Sequence, residues 1–229
     1  MRIGIVSDIH CNLAGLRAAV AAVGAVAELV CAGDLVYQFR FSNEVVRELK
    51  GLGARVILGN HDEVILGPHG ERARSAPHVD RDLVRWLAEQ PTELRTTVNG
   101  RRLLVVHASP REPRKEYLYP NDMKLRQAAE LDADVLVYGH THYQHARTYG
   151  RVLVVNPGSA GEPRDPRNGF RLSCAVLDTE TLEVRFIDYP DPTRTIAADS
   201  SGAAAQFQSN GSGWRDYGVM PQRDPWGLA

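Results

Sequence analysis

The chain has 229 residues, 43% of them apolar and 24% charged, and its 27 Lys and Arg against 28 Asp and Glu leave a formal net charge of -1. That balance gives no general attraction to nucleic acid or to an anionic membrane, and no apolar run approaches the roughly 20 residues that span a bilayer. Three widely separated cysteines argue against a disulfide framework and for a reducing compartment, so the cytoplasm is the expected location.

The opening RIGIV (2–6) reads as a strand buried on both faces, not as a signal peptide, because no long apolar region or cleavage site follows it. NLAGLRAAVAAV (12–23) has helical period with Asn12 as its cap, and ELVCA (28–32) is a second strand. SNEVVRELKGL (42–52) repeats the helix with Ser42 as cap, and RVIL (55–58) repeats the strand. DRDLVRWLAEQ (80–90) and NDMKLRQAAEL (121–131) are further predicted helices, while RLLVV (102–106), DVLVY (134–138) and RVLVV (151–155) are further strands.

Strand–helix–strand alternation implies right-handed crossovers and a largely parallel sheet in the first half. Asn99-Gly100, Tyr149-Gly150 and DTET (178–181) are turn signals between later apolar segments, so a second, more antiparallel sheet is expected there. Periodicity alone gives an α/β fold with mixed pairing. Residues 1–190 read as one domain and 191–229 as an irregular C-terminal tail, whose Trp214, Tyr217 and Trp226 can pack on the body or at an interface in a homo-oligomer.

Each early apolar run ends in chemistry. RIGIVS delivers Asp8 and His10, LVCA delivers Gly33-Asp34, and RVIL delivers Gly59-Asn60-His61-Asp62. LLVV delivers His107, and VLVY delivers Gly139-His140-Thr141-His142. Taken singly, each Asp is a turn residue and each His a surface or hydrogen-bonded histidine. Together they sit at the one edge of an open α/β sheet where rigid strands bring side chains into convergence. Imidazole with carboxylate suits Mn, Fe, Co, Ni or Zn better than Ca or Mg. So many ligands exceed one tetrahedral ion and suit two ions sharing a carboxylate.

These blocks, in this order and each after a strand, resemble the calcineurin-like metallophosphoesterases, from the first strand to about Asp188. VHASPREP (106–113) with YLYP (117–120), and NPGSAGEPRD (156–165), resemble the small prokaryotic phosphodiesterases of that family. GDLVYQFRFS lacks the Asp-Arg-Gly extension of the protein phosphatases. The resemblance implies a four-layer αββα fold, two mixed β-sheets packed as a sandwich with helices on both outer faces. It implies two divalent transition-metal ions, manganese first and Fe, Ni, Co or Zn open. Asp8, His10 and His142 would hold one ion, Asn60, His107 and His140 the other, with Asp34 between them.

The implied reaction is hydrolysis of a P–O bond in a small phosphate ester, by in-line attack of a metal-bridging hydroxide. His61 is the implied general acid, with Asp62 or Asp34 orienting it and raising its pKa. A phosphodiesterase is the first expectation and a phosphomonoesterase of the same mechanism the second. A non-catalytic scaffold is disfavoured because the ligand set is complete. Arg111 and Arg114 are candidate phosphate clamps, as are Lys115, Arg164 and Arg167, though a solvated loop explains any one of them equally well. Tyr117 and Tyr119 either line an aryl- or base-binding surface or simply pack. His69 and His78 read as ordinary loop histidines, His145 either as another or, three residues past His142, as reaching the rim of the site, and Cys11 as a spectator thiol.

Overall fold

A computed structural model describes residues 1–194 of the chain. In the first half, strands β1 (Arg2–Val6), β2 (Glu28–Cys31) and β3 (Arg55–Val56) alternate with helices α1 (Leu13–Val23), α2 (Asn43–Gly51), α3 (Asn60–Leu66), α4 (Glu71–Arg74) and α5 (Arg81–Ala88). The second half is mainly strand: β4 (Glu93–Val98), β5 (Arg101–Val106), β6 (Val135–Val137), β7 (Gln144–Tyr149), β8 (Val152–Pro157), β9 (Leu172–Asp178) and β10 (Val184–Tyr189). Among the described residues, no helix is long and apolar enough to cross a membrane.

The strands form two five-stranded sheets, ordered β10-β9-β1-β2-β3 and β4-β5-β6-β8-β7. Side-chain alternation explains the near-continuous apolar runs, because both faces of each sheet are covered. Ile3 and Ile5 of the first sheet meet Leu103, Val105, Val135 and Val137 of the second in a shared core. Val6 points the other way, into the core beneath the helices with Leu16, Leu49 and Leu83. Leu104, Val106 and Leu136 face outward from the second sheet onto Leu125 and Ala128. The layers are therefore helix, sheet, sheet, helix.

Local signals account for the element ends. The Asn12 side chain accepts from the Gly15 amide, Ser42 from Val45, and Asp80 from Asp82 and Leu83, each filling an N-cap position. Asn99 and Gly100 both take positive φ, 49° and 75°, giving the two-residue hairpin between β4 and β5.

Three expectations change. Antiparallel pairing is not concentrated in the second sheet, since β9 and β10 return to the first and pair antiparallel beside β1. The second sheet keeps the parallel pairs β5–β6 and β6–β8. Residues 123–130 form a 3₁₀ helix in place of an α-helix, with Leu125 and Ala128 buried at the spacing of three that matches its turn. Asn60-His61-Asp62 opens an α-helix where a loop was expected. The tail beyond Arg194 lies outside the described residues.

Because Ile5 is fully buried between the sheets, Ile5→Ala is expected to cost about 2–5 kcal/mol of unfolding free energy, read by urea denaturation.

Candidate metal centre

The C-terminal ends of β1, β2, β3, β5 and β6 each pass directly into a residue of one buried cluster. After β1, β2 and β6 the chain takes an unusual backbone: Asp8, His10, Asp34, His140 and His142 all take φ between 48° and 67°. Non-glycine residues seldom adopt that left-handed region, and it costs on the order of 1–3 kcal/mol each unless neighbours enforce it. The neighbours here are backbone. Asp8 N–H donates to the Gly33 carbonyl at 3.0 Å, and the Ile9 and His10 amides donate to the Asp34 carbonyl at 2.8 and 3.0 Å. Gly59 lets the third loop approach: a Cβ there would collide with the Asp34 carboxylate and amide.

Residues 156–161 brace the other side. Asn156 Nδ2 donates to the Gly139 carbonyl at 2.8 Å, and Ser159 Oγ donates to the Asp8 carbonyl at 2.7 Å. The turn thus ties the Asp8 loop to the His140–His142 loop.

The side chains gather in three overlapping groups, in each of which the ligand atoms lie within 4.8 Å of one another. Asp8, His10 and His142 form the first, Asp34, His107 and His140 the second, and His10, Asp34 and the half-buried His61 a third that bridges them. His142 Nε2 lies 3.3 Å from Asp8 Oδ1 and 3.2 Å from His10 Nε2. Asp34 Oδ2 stands 3.8 Å from His10 Nε2 and 3.3 Å from His107 Nε2, so one carboxylate oxygen faces both groups. Asn60 Oδ1 joins the second at 3.0 Å from His107 Nε2. Relative exposure of Asp8, His10, Asp34, His107, His140 and His142 does not exceed 5%.

The tautomers are set from outside the cluster. His107 Nδ1 contacts the Ala32 carbonyl at 2.8 Å and His142 Nδ1 the Glu162 carbonyl at 2.7 Å. A carbonyl only accepts, so Nδ1 carries a proton in both rings and Nε2 is the nitrogen turned into the cluster. Asp8 Oδ1 and His140 Nε2 are buried with no hydrogen-bond partner. Ring nitrogens and carboxylate oxygens facing one another, together with orphaned buried atoms, are the arrangement a cation resolves, and the mixed O and N donors fit a transition metal.

The electrostatics agree. Burial alone would raise the Asp8 carboxyl, but His142, His107 and His10 hold it well below the usual carboxylate range. Asp34 is likewise lowered against its burial, chiefly by His107. Burial pushes His10 and His140 down to about 4, which keeps them neutral and available as ligands. Burial would lower His107 too, but Asp34 carries it up to about 10. A proton there occupies the place of a positive charge.

His61 sits at the margin, its ring edge-on to His10 with centroids 4.9 Å apart. Its backbone N–H donates to Asp34 Oδ1 at 2.9 Å, and its Nδ1 accepts from the Gln38 amide at 3.3 Å. The neutral ring therefore carries its proton on Nε2.

Asp62 takes a place different from the one expected beside His61. As the third residue of α3 it turns back under the loop, where its carboxylate accepts from the amides of Gly59 (2.9 Å), Val36 (3.1 Å) and Leu35 (3.2 Å). None of these contacts is the His61 ring. Burial first, and the Asp34 charge second, push it up to about 7 against those three amides.

The remaining candidates disperse. Arg114 pairs with Glu63 at 2.8 Å. Arg111 lines a cavity of about 210 Å³ with Glu116, Lys124 and Leu125, away from the cluster residues. Of the candidate clamps Arg164 alone stays at the rim of the cluster: it donates to Glu162 Oε2 at 2.9 Å, and that oxygen is 3.7 Å from His10 Nε2. Cys11 Sγ donates to the Arg40 carbonyl at 3.1 Å, and burial raises its thiol pKa. His145 meets the Tyr149 hydroxyl at 3.3 Å.

Two residues escape a reading of sequence. Tyr37 stacks on His10 with centroids 4.6 Å apart, and its hydroxyl donates to Glu162 Oε2 at 3.0 Å. That oxygen is 3.7 Å from His10 Nε2. Glu162 stands in a quoted segment, NPGSAGEPRD, but nothing local marks its contact with Tyr37, 125 residues away.

The family model of the calcineurin-like phosphoesterase superfamily domain matches residues 1–182. The chain belongs to that superfamily. Its members are dinuclear metal-dependent phosphoesterases, and the Asp and His groups above are able to bind metals. A phosphodiesterase of Methanocaldococcus jannaschii is 27% identical over 202 residues, 82% of this chain and 98% of that one. An uncharacterized protein of the same organism is 25% identical over 213 residues, 81% and 86% of the two chains. The crystal structure of a metallophosphoesterase from Sphaerobacter thermophilus superposes with a TM-score of 0.67 at 27% identity, covering 83% of this chain and 89% of that one.

The amide contacts make Asp62 a test of how the cluster is held. Asp62→Asn, which keeps one acceptor oxygen, is expected to lose about 1–2 kcal/mol of stability, whereas Asp62→Ala strands three buried amides and loses roughly 3 kcal/mol or more. Urea unfolding measures both, and an Asp62→Ala variant as stable as the parent contradicts the assignment.

Proposed function

We propose that the chain is a cytoplasmic, dinuclear metal-dependent phosphodiesterase acting on a small phosphodiester, with His61 as general acid. The observation that carries this reading is the pair of buried Asp/His groups facing one Asp34 oxygen, with the His61 ring at their margin. Asp8, His10, His142 and Asp34 would hold one ion, and Asp34, Asn60, His107 and His140 the other. When bound, the ions supply positive charge to the phosphoryl oxygens and the acidity that makes water a nucleophile near neutral pH. Manganese remains the first choice.

The chain's own groups do the rest. Asp34 and Asp8 stay ionised in a buried site, which keeps the cations in place without a competing proton. The left-handed loops fix ligand directions before substrate arrives, so little reorganisation accompanies the reaction. With Nδ1 accepting from the Gln38 amide the His61 ring is neutral. To act as acid it takes up a second proton at Nδ1, giving up that contact. The imidazolium then passes its Nε2 proton to the departing oxygen as the P–O bond breaks, returning to the neutral ring.

One observation favours a diester over a monoester. A relative matched over nearly its whole length is named a phosphodiesterase. The retained ligand set argues against a non-catalytic scaffold.

Metal-stripped protein reloaded with Mn, and separately with Fe, Co, Ni or Zn, is expected to cleave bis(p-nitrophenyl) phosphate faster than p-nitrophenyl phosphate. Folded protein that releases no nitrophenolate with any metal contradicts the reading, and faster monoester cleavage moves it to a phosphomonoesterase. His61→Ala is expected to retain its metal and to lose about 10²–10⁴ in turnover of a diester with an alkyl leaving group. The loss is smaller with nitrophenolate, which leaves without a proton. Equal losses on both substrates contradict the general-acid role.

A further inference from the structure

Beside the second metal group the chain builds a surface that the proposed hydrolysis leaves unused. Tyr117 lies over the His140 ring, with centroids 4.0 Å and planes 30° apart. Tyr119 is nearly parallel to Tyr117, at 6.2 Å and 13°, and Tyr143 meets Tyr119 edge-on at 5.2 Å. Tyr117 is 47% exposed and Tyr119 39%. The residue between them, Leu118, is 4% exposed in the outer core of the second sheet, and its carbonyl accepts from the Tyr138 hydroxyl at 3.1 Å. Anchoring Leu118 inward turns its two neighbours outward together, as alternation along an extended chain requires.

Phe39 and Phe170 are more exposed, at 61% and 57%, but Tyr117 and Tyr119 stand half-exposed beside His140 of the cluster, where a bound ester can reach them. The binding partner must be flat and largely uncharged, since among the described residues neither the Tyr117 nor the Tyr119 hydroxyl has a hydrogen-bond partner and the ring faces are what the surface offers. Position also matters. His61, the proposed acid, edges His10 in the first group, whereas Tyr117 covers His140 in the second. The departing oxygen belongs near His61, so the ester group that stays on phosphorus falls toward the tyrosines.

We propose that Tyr117 and Tyr119 form a stacking subsite for an aromatic ring on the retained ester group, making the substrate class phosphodiesters of a nucleoside or aryl alcohol. This rests on the phosphodiesterase reading above. Stacking on a tyrosine face accepts any nucleobase or aryl ring, because each has a π-face. The near-neutral charge of the chain favours a small ester over a polynucleotide, which a basic groove would track.

The test holds the leaving group constant. Metal-loaded protein is assayed with three p-nitrophenyl phosphodiesters, whose second ester group is thymidine (through its 5′ oxygen), phenyl or methyl. The thymidine and phenyl esters are expected to exceed the methyl ester by about tenfold in kcat/KM, with the difference in KM. Tyr117→Ala is expected to bring the three within about twofold, and Tyr117→Phe, which keeps the ring face, to restore the preference. Calorimetric binding of thymidine 5′-monophosphate and methyl phosphate to the metal-loaded protein is expected to show the same tenfold gap, lost in Tyr117→Ala. Equal efficiency for all three esters in the parent, a phenyl ester that behaves like methyl, or a preference that survives Tyr117→Ala overturns the proposal. So does a Tyr117→Ala variant that loses metal by elemental analysis and weakens on all esters alike, because the residue then only shields His140. Failure to cleave any diester overturns the phosphodiesterase reading itself.

Discussion

The site depends on keeping Asp34 charged while it is buried to 1% exposure. An ionised carboxylate out of water costs several kcal/mol unless it is paired, and Asp34 is held from every side. One oxygen takes the His61 amide at 2.9 Å, and the other faces His10 and His107. Its own backbone carbonyl takes the Ile9 and His10 amides. That single residue ties the first, second and third strand-end loops to one another and to His107 from the opposite sheet. Remove the charge and the two histidine groups have nothing in common to face.

The sandwich explains how such a concentration of polar groups is tolerated. Two sheets with apolar residues on both faces supply a rigid frame, and the strain of the left-handed loops is carried at the ends of β1, β2 and β6. The braces are mostly backbone and uncharged side chains: Ser159 to the Asp8 carbonyl, Asn156 to Gly139, and Asp62 beneath three amides. These groups do not compete for a cation. The Nε2 atoms of His107 and His142, by contrast, are turned inward, and Asp8 Oδ1 and His140 Nε2 are buried there with no hydrogen-bond partner.

Much of this was legible in the sequence, for a physical reason. Strands covered on both faces must be apolar throughout, so the first polar residue after each marks its end, and Asp8, Asp34, Asn60, His107 and His140 all stand within a few residues of one. The cap residues Asn12, Ser42 and Asp80 were legible because they act within three residues. What was not legible is non-local. The β9–β10 hairpin pairs with β1 across most of the chain, and no turn signal says which sheet a hairpin joins. Asp62 follows His61 in sequence, yet helical geometry sends its carboxylate away from the ring. The Arg114–Glu63 pair is likewise visible only in the folded chain. Tyr37 and Glu162 matter through a contact that only the folded chain creates.

The central claim is that two cations occupy the two groups and that Asp34 lies between them. Anomalous diffraction from crystals of the full chain soaked in manganese tests it directly. The account predicts two peaks, one against Asp8, His10 and His142 and one against Asn60, His107 and His140, with Asp34 contacting both. A single peak, or none in this cluster at saturating manganese, would contradict it.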